Sequence, residues 1–443
     1  MLTKTEKAGL VLLLVLAVAF GGLVVKRAAF MKRRMTDVDC YLRAAWAVRS
    51  GNDLYEVQDP NDWHYNYPPL FAILMTPLAD PPPDEDRGGM LPFSVSVAIW
   101  YVFSLVLLAA GVHWLASAIE KTWPGVQPPL RFSRSWWQLR LIPILACLLP
   151  VGHTLMRGQV NLLLLALLCG MAAATLQGRN HLAGWCLAGA ICLKVIPAFL
   201  LLFPLWRRDG RCLVACVLGM VFLDGAIPVM VFGPSRTVHY YEKFSQVLLG
   251  PALGIGSDQS RAKEMIETTA NDSQSLQAAL HNTLHPIRAD RPAQPTALVR
   301  WIPRVVGVTL TGLTLAAAGW RRRPTGPDTA LFLGALTINM LLLSPICHLH
   351  YFSLCILVVM GLVAARWEGA TRQSLGVGLS LILLVNIVCY MAPNIPGWLI
   401  LRDLAITIYP TIMLWAAGTL TLWKRSKQSS AVGDQFLGAR QAA

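Results

Sequence analysis

Charge is scarce in this sequence. Charged residues make up 14% of its 443 residues, against about 25% in an ordinary soluble domain. Hydrophobic residues reach 55%, and an even spread of that excess would leave a water-soluble fold insoluble. Nucleotide-binding patterns are missing too: no GxxxxGK[ST] run occurs, and no GxGxxG turn follows a strand. No internal repeat relates one half of the chain to the other. The ten cysteines give no disulfide framework. Most lie inside apolar blocks, as Cys147, Cys169, Cys186, Cys192, Cys212, Cys216, Cys355 and Cys389 do, and there they behave as small hydrophobes. Acidic side chains are fewer than basic ones, and the net charge is +14.

The apolar residues fall in long blocks. Residues 8–25, 328–346, 351–365, 374–392 and 403–423 are such blocks, each near the roughly 20 residues that span a bilayer core as a helix. Helices are the expected form, because backbone groups facing lipid must be satisfied within their own segment. Lys26 and Arg27 follow the first block where a cleavage site would need small residues, so that block reads as a retained helix. The basic residues gather at block ends: Arg207, Arg208 and Arg211; Arg321, Arg322 and Arg323; Lys424, Arg425 and Lys427. That is the positive-inside pattern, with membrane lipids and not nucleic acid as the partner.

Two stretches do not read as spans. Residues 26–92 hold ten of the 24 acidic residues, and prolines cluster at 68–69 and 81–83. Residues 234–297 are glycine-rich and then polar. Both read as ordered loops on one outer side of the membrane, carrying short interfacial helices. The expected domain is a single transmembrane unit over 1–423, followed by a polar cytoplasmic tail at 424–443. With both termini cytoplasmic, an even count requires two short helices, 183–193 and 196–206, broken by Lys194-Val195-Ile196-Pro197. That makes about twelve spans of bilayer length. The basic run Lys26, Arg27, Lys32, Arg33 and Arg34 opposes this orientation.

A few polar residues stand out. Asp37 follows the first helix and suits a general base if it faces a cavity; a solvated loop carboxylate is the plainer reading. Lys194 interrupts an apolar stretch, where a charge marks function or snorkels to an interface. Arg157, Gly158, Gln159 and Asn161 form a polar knot that also reads as a capped turn. Cys347, His348 and His350 fall short of the four ligands of a structural zinc site, and a polar turn explains them.

Four segments resemble glycosyltransferase family 87, the polyprenol-phosphate-dependent mannosyltransferases of the GT-C fold. The first runs Asp37, Tyr41, Ala44-Ala45, Gly51, Leu54-Tyr55, Tyr67-Pro68-Pro69-Leu70-Phe71 and Thr76-Pro77-Leu78. The second is Gly158-Gln159-Val160-Asn161-Leu162. The third is Ala183-Gly184, Gly189, Lys194 and Pro197, before Arg207-Arg208. The fourth is Asn271, Gln274-Ser275-Leu276, Leu343-Ser344-Pro345-Ile346 and His350-Tyr351. The chain departs from the family at Cys347-His348-Leu349, at the stretched Asn271-Asp272-Ser273-Gln274, and at a second acid, Asp39.

The resemblance implies an all-α, polytopic GT-C-like enzyme of the plasma membrane. It would be an inverting hexosyltransferase that takes its sugar, mannose being the expected one, from a polyprenyl-phosphate donor to a lipid-linked or glycan acceptor. Asp37 would be the base. Lys194, His350, Gln159, Asn161, Tyr41, Tyr67 and Gln274 would bind substrate, with no cofactor and no metal. A transporter or lipid flippase, with charges along a two-sided path, is the alternative.

Overall fold

The computed structural model describes residues 3–31, 36–122, 129–253, 258, 260–261, 264, 273–319, 325–368, 374–395 and 397–441. Lys32–Arg34, Asn271 and Arg321–Arg323 lie outside the described residues. Among the described residues the chain is helical, with one isolated bridge from Gln58 to His64 and no β-strand.

Among the described residues, seven helices are long and apolar enough to cross a membrane: Glu6–Phe30, Phe93–Lys121, Gly210–Phe232, Ala297–Ala318, Gly326–Leu343, Leu349–Trp367 and Gly376–Asn394. An eighth span forms if Arg134–Ala146 and Leu148–Arg157, which meet at a 66° bend, are one crossing. The chain is a multi-pass membrane protein. Asn161–Leu176, Asn180–Leu193 and Ile196–Trp206 are apolar but shorter. At a rise of about 1.5 Å per residue they fall short of a bilayer core.

Burial sorts these helices into layers. Gly326–Leu343 and Leu349–Trp367 are almost wholly buried, whereas Glu6–Phe30 is almost wholly exposed. The first two form the centre, and the amino-terminal helix offers its apolar surface to lipid. The central pair packs closely because each contributes a glycine. A Cβ on Gly334 would meet the Val358 backbone at 2.5 Å, and one on Gly361 would meet the Leu331 backbone at 2.7 Å. Small residues at such crossings let two backbones approach, which is the chief source of helix association in lipid.

The 66° bend has an identifiable cause. Pro150 has no N–H, so the Ala146 carbonyl loses its helical partner four residues on. The buried Asn386 side chain supplies the missing donor, 3.2 Å away. We expect Asn386→Leu to lower stability by about 1–3 kcal/mol, the cost of a buried acceptor left unsatisfied. Thermal unfolding in lipid nanodiscs measures it, and an unchanged midpoint would remove Asn386 from the bend.

The second break falls at Lys194. Asn180–Leu193 ends there, Lys194 is extended, and a 3₁₀ run begins at Ile196. Pro197 lacks the donor that the Leu193 carbonyl would use.

Residues 26–92 and 234–297 touch. Lys243 pairs with Asp53 at 3.1 Å and also with Glu56. Tyr240 donates to the Asn52 carbonyl, and Arg236 donates to the Gly51 carbonyl. Glu264 accepts from His64, Asn66 and the His64 backbone. The Asp37–Ser50 helix is largely buried, not laid on a membrane surface. Residues 26–30, read from sequence as loop, complete the first helix, Lys4–Phe30.

Candidate active site

A cavity of about 430 Å³ opens beneath these contacts. Asp37, Tyr41, Tyr67, Arg157, Gln159, Lys194, His348 and His350 all line it. They come from five separate parts of the chain, and each is held by its local structure.

Asp37 is the first residue of the Asp37–Ser50 helix, where unpaired N–H groups favour an anion. Its Oδ2 lies 2.6 Å from Nε of Arg157. Burial alone would raise the Asp37 carboxyl. The Arg157 charge, hydrogen bonds from Arg157 and Gln159, and His348 more than offset that, and Asp37 is held below the usual aspartate value. It therefore stands ionised, able to accept a proton.

Asp39 is turned elsewhere. It is buried, accepts from the Thr36 hydroxyl at 2.8 Å, and is not part of the cavity wall. On a helix Asp37 and Tyr41 share a face that Asp39 does not.

Tyr67 precedes two prolines, and Pro69 is the first residue of the short Pro69–Met75 helix, the position a proline prefers. The Tyr65 hydroxyl clamps this turn, donating to the Pro68 carbonyl at 2.7 Å and accepting from the Ala72 amide at 2.9 Å. The Tyr41 and Tyr67 hydroxyls are 3.0 Å apart. Both reach Oε1 of Gln159, at 3.1 and 3.3 Å. Burial, with the Asp37 charge adding to it, pushes both phenols well up, so they remain protonated donors.

Gly158 makes this approach possible. It ends the Leu148–Arg157 helix in the left-handed region at φ 68°, and a Cβ there would meet the Val38 Cβ at 2.6 Å. Val38 follows Asp37, so the glycine sets how near Arg157 and Gln159 come to the acid. Gly158→Ala should lower stability by about 1–3 kcal/mol through backbone strain and overpacking. It should also cut whatever activity the site has. A folded variant with unchanged melting and turnover would show that the contact yields freely.

Lys194 lines the cavity. Its Nζ lies 3.9 Å from the Tyr351 ring centre, 5.3 Å from that of Tyr67 and 3.5 Å from Oδ1 of Asn161. Asn161 itself stands behind the wall and braces the lysine. His350 is buried between His153 and His348, its ring 8° from parallel with that of His153. Neither His350 ring nitrogen has a hydrogen-bond partner among the described residues.

Gln274 is not brought to the cavity. It is buried and bonds the Arg402 carbonyl and the Thr407 hydroxyl. Its backbone N–H donates to the Cys347 carbonyl, so it braces the turn that carries His348 and His350. Sequence reading did not place Arg157, His64, His348 or Glu264 in the site. The Arg157–Asp37 contact joins residues 120 positions apart, and only the run Arg157-Gly158-Gln159 hinted at it. Among the described residues no group of three or more His, Cys, Asp or Glu side chains is arranged to hold a metal ion.

Buried helices around an ionised carboxylate, a lysine and a tyrosine pair describe a multi-pass membrane protein with a largely apolar chamber that carries a few polar side chains, roofed by two contacting segments. The chain belongs to glycosyltransferase family 87, whose profile matches residues 65–345. It is similar to the polyprenol-phosphate-mannose-dependent alpha-(1-2)-phosphatidylinositol mannoside mannosyltransferase of Mycobacterium tuberculosis, 26% identical over 301 residues, 64% of this chain and 66% of that protein. It is also similar to an alpha-(1->3)-arabinofuranosyltransferase of the same species, 29% identical over 48% of each chain. The chain spans less than two thirds of the length of these relatives. Among solved structures, ArnT from Cupriavidus metallidurans bound to undecaprenyl phosphate aligns with a TM-score of 0.42 and 13% identity, over 96% of this chain and 79% of that one.

Proposed function

We propose that this chain is an inverting membrane glycosyltransferase of GT-C-like architecture. It moves a hexose, mannose in the first instance, from a polyprenyl-phosphate donor to a lipid-linked or glycan acceptor at the outer face of the plasma membrane. The observation that carries this reading is one cavity walled by the ionised Asp37 and by Lys194. The mycobacterial relative named for polyprenol-phosphate-mannose supports the choice of donor.

The chemistry is a single displacement. An acceptor hydroxyl attacks the anomeric carbon, and its proton passes to Asp37. The bond from that carbon to the phosphate oxygen breaks, and polyprenyl phosphate leaves with the electron pair. A leaving phosphate needs positive charge nearby, which Lys194 supplies. Tyr41, Tyr67 and Gln159 present hydroxyl and amide groups of the kind that bind a sugar. His350 adds unpartnered ring nitrogens beside them, and Asn161 and Gln274 act from behind. In this reading residues 1–423 form one transmembrane domain of about twelve crossings, the short helices included. The segments 26–92 and 234–297 lie outside, and residues 424–443 are a cytoplasmic tail.

The test is transfer itself. The purified full chain in lipid nanodiscs is incubated with labelled polyprenyl-phosphate mannose and candidate lipid acceptors. A second arm uses the same carrier loaded with arabinofuranose. Label moving to an acceptor from the mannose donor supports the reading. Label moving only from the arabinose donor changes the sugar, and label that moves from neither sinks it.

A further inference from the structure

Arg157 holds Asp37 through Nε at 2.6 Å. Among the described residues its two terminal Nη groups make no hydrogen bond, yet Arg157 lines the cavity. A part-buried guanidinium, set over the Trp63 ring and with its outer donors making no hydrogen bond beside a chamber, is arranged for an anion. Its planar fork allows two acceptors to be held at once, at a spacing set by the guanidinium itself.

We infer that Arg157 bridges the two ends of the reaction, keeping Nε on Asp37 while its Nη donors take an oxygen of the donor's phosphate. The inference rests on the polyprenyl-phosphate reading above. Arg157 then contributes to the phosphate site from the Asp37 side, with Lys194 on its own separate segment. It also sets the spacing between the proton acceptor and the leaving group. An inverting displacement needs these two apart, flanking the anomeric carbon. The guanidinium fits that need, because its donors point in different directions from one rigid plane.

The bridge separates two substitutions. Arg157→Lys keeps the charge but has one compact ammonium, which cannot hold both partners at the guanidinium spacing. Arg157→Gln removes the charge. Binding of sugar-free polyprenyl phosphate to the full chain in nanodiscs is measured for wild type, R157K, R157Q, D37N and the double variant D37N/R157Q. Turnover is measured beside it for wild type and R157K, and circular dichroism checks folding.

R157Q should weaken carrier binding about tenfold or more, the scale of one lost charge-assisted contact. The same loss should appear between D37N and D37N/R157Q, where there is no carboxylate left to position. R157K should keep carrier binding within a few-fold while turnover falls on the order of a hundredfold. Carrier binding unaffected by R157Q in either background overturns the phosphate contact. R157K turning over like wild type overturns the bridge, and that comparison stands even if R157Q does not fold. Wild type that fails to bind polyprenyl phosphate at all removes the underlying reading, and the inference with it.

Discussion

Asp37→Asn should leave a folded protein that still binds the polyprenyl-phosphate donor and no longer transfers its sugar. The amide keeps the shape of the carboxylate and loses its proton affinity. Removing a general base costs about 10²–10⁴-fold in rate, and the Tyr41 and Tyr67 phenols, committed to Gln159, do not replace it. Asp39→Asn is the matched control. Asp39 is as near in sequence but bonds Thr36 inside the protein, so its loss should affect stability more than turnover. The two variants are assayed side by side with the same donor. A dead Asp39→Asn beside an active Asp37→Asn would transfer the role, and two active variants would take this helix out of the chemistry.

Lys194→Met should weaken donor binding and slow turnover together. Methionine preserves much of the length and the apolar contact with Tyr351 and removes the ammonium. A positive charge facing a leaving phosphate acts in the ground state, where the phosphodiester is already anionic, and more strongly as charge builds on the departing oxygen. The combined loss in kcat/KM should be about 10²-fold, the scale of one charge-assisted contact in a site screened from water. Steady-state kinetics with the labelled donor, and carrier binding measured separately, resolve the two parts. Wild-type values for both would return Lys194 to a structural brace between Asn161 and Tyr351.

Much of this was legible in the residues alone, for reasons that differ from element to element. The long apolar blocks declare their helices because lipid allows few alternatives. The break at Lys194 follows from Pro197 and a charge where neither suits a continuous helix. Asp37 and Tyr41, four apart, share a helical face wherever that helix sits. What stayed hidden depends on which distant segments meet. The pairing of Arg157 with Asp37 comes from a turn at Gly158 pressed against Val38, and no local pattern encodes that contact. Gln274 entered the binding set only through the family resemblance of Gln274-Ser275-Leu276, but its partners, Arg402 and Thr407, lie in a region with no signature of its own. The Arg134–Arg157 region is bent by a proline that local sequence announces, while the asparagine that repairs the bend sits 240 residues away.

The contact between Gln159 and Asp37 decides more than a side-chain position. An amide can usually be turned end for end without a change in outline, and its orientation is ambiguous. Here the ionised Asp37 can only accept, so it takes the NH₂ end and Oε1 is the one left to receive the hydroxyls. The hydrogens on that flank therefore run one way, from the phenols to the amide to the carboxylate. A proton captured by Asp37 finds only donors there, because an amide nitrogen takes no proton and the guanidinium has no lone pair to offer. For a base at Asp37, the captured proton therefore leaves by another side of the chamber, where His348 also stands.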